Sequence, residues 1–228
     1  MLTNKELKNV IKESLGTDNV DQVDESYVAQ LKKFELPTEM LRPKNKSSHR
    51  DLYDNYVKTF NAVSAELDTV DRELASLNHS HYRALKLDET HNMNAVYLHE
   101  LYFSNISDVN SQVAMDSLAF MRLERDFGSF DDWQRDFIAC ALSAKNGWVV
   151  TGYSTFLQSY VNFMIDLHDT HIPVGIYPII VIDVWEHAYY RDYLTKRKTY
   201  VHAMMKELDW TVIEERFIKA DKIANILK

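Results

Sequence analysis

The chain has 228 residues, is 46% hydrophobic and carries a formal net charge of −8. It is long enough to bury a core in one or two domains, and its acidic balance makes nucleic acid a poor partner. A single cysteine, Cys140, rules out an internal disulfide framework and suits a reducing, cytoplasmic setting. The first residues lack the apolar core and cleavage site of a secretory signal, and no apolar run approaches membrane-spanning length, so no membrane is expected.

Residues 1–33 read as a helical extension. Leu2, Leu7, Val10, Ile11 and Leu15 recur at helical spacing, Thr3 and Glu6 suit a capping box, and Gly16 suits a helix end. A second amphipathic piece is expected around Tyr27 to Leu31. Residues 34–47 hold two of the four prolines and read as a linker. A long helix is expected over 48–83 from an apolar stripe running from Leu52 through Tyr53, Tyr56, Val57 and Phe60 to Leu74 and Leu77. His49 stands at its head, where a histidine is ordinarily solvated. A short connection at 84–88 leads to a second helix over 89–106, making an antiparallel hairpin. His99 sits there among Val96, Leu98, Leu101, Tyr102 and Phe103, and by itself reads as a core histidine bonded to a carbonyl or tyrosine. His79, His81 and His91 read as surface residues.

Beyond residue 112 the pattern changes. Helices are expected at 112–126 and 130–145, with Ser129 or Asp131 capping the second. Strands follow at 147–153, 158–165 and 178–182, then helices at 187–207 and 210–219. A loop over 166–176 carries His168 and His171. Strands and helices are segregated after an all-helical first half, and there is no glycine-rich phosphate loop, glycine being scarce at 5 residues.

One stretch concentrates chemistry. The run Tyr177-Pro178-Ile179-Ile180-Val181-Ile182 reads as a buried strand, and Asp183-Val184-Trp185-Glu186-His187-Ala188-Tyr189-Tyr190 follows it. A carboxylate at a strand end with a histidine four residues on offers an oxygen and a nitrogen ligand from a rigid corner. Two further histidines would complete a site suited to a redox metal. The plainer reading is an aspartate capping the next helix.

These residues, taken in order, resemble the iron/manganese superoxide dismutases over about residues 34–220. The segment 183–190 matches the family's metal-binding signature. His99-Glu100-Leu101-Tyr102-Phe103-Ser104-Asn105-Ile106 is similar to its second-helix ligand motif. Phe127-Gly128-Ser129-Phe130, Asn146-Gly147-Trp148, Phe34-Glu35-Leu36-Pro37 and Tyr56-Val57 with Asn61 match other landmarks. The resemblance implies an α+β fold: a helical hairpin domain (34–110) packed on a C-terminal α/β domain (111–228) with a three-stranded antiparallel sheet, after the 1–33 extension. It implies one iron or manganese per subunit, held by His49, His99, Asp183 and His187 with a water as fifth ligand. Tyr56 would be the gateway tyrosine, and Tyr53, Trp148, Trp185 and Tyr190 would surround the site. Glu186 would reach the partner subunit's ligand histidine in a homodimer or a dimer-based oligomer. The implied activity is antioxidant: dismutation of superoxide to O2 and H2O2 by M3+/M2+ cycling.

Four departures bear on that expectation. His49 lies one residue nearer Tyr56 than the family's first ligand, with Ser48 at the ungapped position, so a one-residue deletion that removes a helix bulge is expected. Tyr53 replaces the family's channel histidine. No glutamine lies where the family places the amide that bonds the metal-bound solvent; Ala95 excludes one position, and His168, or else His171, is the candidate. Val150 replaces a second tryptophan. Two other functions remain as alternatives: a weak or inactive homologue kept as an interaction module, and another metal-dependent reaction such as zinc hydrolysis. The complete three-histidine, one-aspartate set argues against the first, and the lack of a placed carboxylate base against the second.

Overall fold

The computed structural model describes residues 29–108 and 111–226. The helices expected over residues 1–28 lie outside the described residues, and residues 29–33 form no regular element. Helix α1 spans Pro43–Thr69. Pro43 suits a first helical turn because its missing N–H would have no partner there. Asn45, His49, Tyr53, Val57, Phe60, Val63 and Leu67 form its buried stripe, at steps of three and four.

The helix ends well before residue 83. Val70 is extended, and Leu74 and Leu77 are exposed, outside the stripe. Helix α2, His81–Ser104, therefore starts earlier than the apolar pattern indicated. Ser80 caps it by accepting the Arg83 N–H, and residues 84–88 are helical rather than a connection.

Helices α3 (Leu118–Phe127) and α4 (Phe130–Ser143) follow. Gly128, at φ +90°, takes the left-handed turn between them that a Cβ would strain, and Ser129 caps α4 by accepting the Asp132 N–H. Strands β1 (Gly147–Ser154), β2 (Ser159–Asp166) and β3 (Ile176–Asp183) make an antiparallel sheet of order β2-β1-β3. The central strand is buried throughout, and Trp148 pairs with Asp183 across β1 and β3.

The single closing helix expected over 187–207 is two, α5 (Glu186–Tyr193) and α6 (Arg197–Lys206), because Leu194 at φ +51° turns the chain. Helix α7 spans Trp210–Ile226. This α+β arrangement sets the helical hairpin against the sheet, and Asn105 joins the two. Its side chain donates to the Val181 carbonyl (3.0 Å) and accepts the Val181 N–H (2.9 Å), while Arg216 donates to it and to the Ile179 carbonyl. An amide that satisfies both polar groups of a β3 residue holds the end of α2 in fixed register with the strand that ends in Asp183.

Candidate metal centre

Four elements converge on one buried point. His49 comes from α1, His99 from α2, Asp183 is the last residue of β3, and His187 is the second residue of α5. One donor atom from each lies within 4.8 Å of the others. Asp183 Oδ2 is 3.1 Å from His49 Nε2, 3.2 Å from His187 Nε2 and 3.7 Å from His99 Nε2.

The backbone fixes how each donor points. His99 Nδ1 lies 2.6 Å from the Ala95 carbonyl, which can only accept, so Nδ1 carries the proton and Nε2 presents a lone pair. That Nε2 is buried and has no hydrogen-bond partner among the described residues. Asp183 accepts the Trp185 N–H at Oδ1 (2.8 Å), which leaves Oδ2 turned to the histidines, and its own carbonyl accepts from Tyr200 (2.8 Å). Because Tyr200 donates there, Tyr102 must donate to the Tyr200 hydroxyl (2.9 Å), so two buried tyrosines steady the aspartate from behind.

The electrostatics agree with this placement. Burial holds the His49 imidazole below its ordinary pKa against the pull of Asp183, and burial together with His49 holds His99 well below it. Burial alone would raise the Asp183 carboxyl, but His187 and His49 overcome it and the group lies far below the usual carboxylate range. Lone pairs from two neutral imidazoles, a further imidazole and a carboxylate are a donor set that a divalent or trivalent transition ion satisfies. A buried lone pair with no donor, as at His99 Nε2, is costly without such an ion. The residues therefore fit iron or manganese.

Around this set lies an aromatic shell. Trp148 packs edge-on to His99 at 4.8 Å between centroids, and Trp185 lies nearly parallel to His168 at 5.2 Å and to His187 at 5.6 Å. His168 is fully buried. Its Nδ1 accepts the Trp148 indole N–H at 3.0 Å, so the ring proton sits on Nε2 and is donated to the Tyr56 hydroxyl at 2.9 Å. His171 instead is 63% exposed and lies 3.5 Å from Asp166, away from this network. Val150, where a second tryptophan was expected, is fully buried and backs a partly open pocket lined also by Leu98, Phe163 and Ile165.

Tyr53 behaves differently from a channel residue. It is buried beneath the segment that precedes α1. It donates to Glu100 (3.0 Å) and accepts the Lys32 N–H (3.2 Å), with the Phe34 ring edge-on at 5.8 Å. Lys32 also pairs with Glu100. Neither Glu100 nor the Tyr102–Tyr200 pair was marked by spacing, because each acts through a partner far along the chain. Glu186 and Tyr190 are exposed beside His187. His91, read as a surface residue, instead packs against His168 at 4.8 Å and pairs with Asp169 at 3.0 Å.

The pH dependence of stability follows from His168, whose pKa burial brings down from 6.5 to about 4. Below 6.5 the unfolded imidazole takes up a proton, whereas the folded one does so only near the lower value. The unfolded state thus binds more protons in that window, and stability falls as pH falls through it, by about 1.4 kcal/mol per unit. Chemical denaturation between about pH 6.5 and 4.5 is expected to show a pH slope steeper by about one proton in the native chain than in His168→Gln. Equal slopes would refute the buried neutral ring.

Fold and site together define a mononuclear metalloprotein with a helical hairpin set against a three-stranded sheet. Residues 116–216 match the family model for iron/manganese superoxide dismutases, C-terminal domain. The chain is 37% identical over 179 residues to a superoxide dismutase [Fe] of Aquifex aeolicus, covering 77% of this chain and 83% of that protein. It is 33% identical over 172 residues to superoxide dismutase [Mn] 1 of Halobacterium salinarum, covering 75% and 84%. The chain belongs to the iron/manganese superoxide dismutase family.

Proposed function

We propose that the protein is a superoxide dismutase that converts two superoxide anions and two protons to dioxygen and hydrogen peroxide. One iron or manganese ion would be held by His49, His99, Asp183 and His187. The observation that carries this reading is the buried, unpartnered lone pair of His99 Nε2 among three other donors within 4.8 Å. The ion, when bound, supplies a centre that alternates between M3+ and M2+, taking an electron from one superoxide and returning one to the next.

The chain's own residues do the rest. Three imidazoles and one carboxylate leave a bound ion with net positive charge, which gives an anionic substrate the local attraction that the acidic surface lacks. Burial pushes the Tyr56 phenol up to about 12, so it stays protonated at neutral pH. Because Tyr56 accepts the His168 Nε2–H, its own hydrogen is available for an oxygen anion, and His168 is oriented to replace it. Trp148 and Trp185 keep water away from the donors. We take residues 34–110 and 111–228 as the two units that close on the site, and a cytoplasmic setting from the lone Cys140. Among the described residues no helix is long and apolar enough to cross a membrane.

The test is to purify the untagged protein from cells given both iron and manganese, then measure metal and superoxide consumption on one sample. About one ion per chain with fast dismutation supports the reading. Stoichiometric metal without activity would refute the dismutase assignment, and no metal would favour an inactive module. His168→Ala is expected to keep its metal while shifting the reduction potential and lowering turnover by about ten- to a hundredfold. Unchanged turnover and potential would remove His168 from the mechanism.

We also infer a homodimer. Exposed Glu186 and Tyr190, side by side on α5 with the candidate ligand His187, support a face completed by a second copy. Sedimentation should give twice the chain mass, and Glu186→Ala should move it towards the monomer.

A further inference from the structure

The loop between β2 and β3 carries His168, and its backbone is bent at both sides of that residue, with Leu167 at φ +58° and His171 at φ +67°. Such left-handed conformations are unfavourable for residues with a Cβ and persist only where the surroundings impose them. Within the loop region, the Asp166 and Thr170 backbones bond each other at 3.1 Å and Leu167 N–H donates to the Asn146 carbonyl at 2.6 Å. These contacts hold the loop to the sheet but not to the helices that present Tyr56 and His99. Among the described residues, two hydrogen bonds cross from the loop to the helical hairpin. One is His168 Nε2 to Tyr56, and the other joins Asp169 Oδ2 to His91 Nδ1 at 3.0 Å.

His91 lies on α2 two turns before His99. Its ring stands nearly perpendicular to that of His168, at 4.8 Å between centroids and 75° between planes, and 6.5 Å from that of Tyr56. His168 is thus bounded by Trp148, Trp185, Tyr56 and His91. Of these four, only the His91 contact is backed by an ion pair to the loop itself, through the residue next to His168.

We propose that His91 and Asp169 form a positioning pair that ties the His168 loop to α2 and so holds the His168 Nε2–H within hydrogen-bonding reach of Tyr56. For its consequence in turnover this rests on the dismutase reading above. The pair is one-third exposed on the His91 side, at 33% and 29%, so it stands at the outer edge of the site rather than among the candidate ligands. A histidine–carboxylate bond behind a working histidine is a common way to fix orientation; here the fixed ring is the next one along, reached by packing and by one peptide of backbone.

The test uses metal-loaded His91→Ala, His91→Asn and Asp169→Asn, with metal content measured on each. An asparagine at 91 keeps an N–H near the place of Nδ1, and an asparagine at 169 keeps an acceptor for His91, so both conserve the bond. His91→Ala is expected to lower turnover at saturating superoxide about three- to tenfold, with full metal, and to leave the rate constant at low superoxide within about twofold. Hydrogen exchange of the 166–175 amides should quicken about tenfold in the same variant. Both bond-conserving variants should return both readouts to within about twofold of the native protein. Unchanged exchange in His91→Ala, or a loss that His91→Asn does not rescue, would overturn the pair. If the native protein has no dismutase activity, the function falls, while the exchange measurement still judges the tie between loop and helix.

Discussion

Replacing His99 by alanine is expected to abolish metal retention and superoxide dismutation together. The ring is fully buried, its Nδ1–H is committed to the Ala95 carbonyl, and its Nε2 lone pair has no donor among the described residues. The one further imidazole against it outside the donor set, His168 at 5.9 Å between centroids, has both nitrogens committed, Nδ1 to Trp148 and Nε2 to Tyr56, and Tyr53, Phe103 and Trp148 carry no metal-binding nitrogen. Loss of a direct donor should exceed the ten- to hundredfold cost of losing a ligand's hydrogen-bond partner, so bound metal should fall below about a tenth of an ion per chain. Activity should fall by at least about a hundredfold. The fold should survive, since a truncated core side chain costs about 2–5 kcal/mol and the surrounding cluster is large. Elemental analysis, superoxide consumption and circular dichroism on one preparation check all three. Full metal and full activity would show that the four-donor site is not the working centre.

The second large effect concerns register. His49→Ala is expected to lose metal and activity as completely as His99→Ala, whereas Ser48→Ala should stay within about twofold of the native protein. Helix α1 runs without interruption from Pro43 to Thr69. At about 100° per residue, seven residues bring His49 and Tyr56 to within about 20° of each other on the helix, whereas eight would separate them by about 80°. An unbroken helix with the shorter spacing therefore aims both side chains at one site. Ser48 spends its hydroxyl on the Lys44 carbonyl at 2.9 Å, within its own helix, and is not a donor for the centre. Retained metal in His49→Ala, or lost metal in Ser48→Ala, would overturn this register.

Much of the fold was legible from local pattern. Alternation and β-branched runs located three strands to within two residues at every end, and of the two candidate caps, Ser129 and Asp131, Ser129 starts α4. The misplaced boundaries have specific causes. Leu74 and Leu77 continue the apolar rhythm but are exposed, because Ser80 supplies a side-chain cap and starts the next helix where periodicity alone marks nothing. Leu194 breaks the closing helix with a left-handed backbone that leucine gives no hint of.

The sequence by itself determined the parts of the site that lie within one element or one corner. Asp183 and His187 are four residues apart across a strand-to-helix turn, and His99 stands on an apolar helical face, so covalent geometry already sets where these donors point. Tertiary structure alone decided the rest. It set His168 between Trp148 and Tyr56 and left His171 exposed near Asp166, and it buried Tyr53 against Lys32 and Phe34. It also turned His91 from an apparent surface residue into a neighbour of the hydrogen-bonded His168 and Tyr56. The reason is physical: spacing along a helix or strand fixes relative direction over a few residues. Whether His91 and Asp169, 78 positions apart, ever meet depends on how α2 packs against the sheet and on which backbone bends the loop is made to hold.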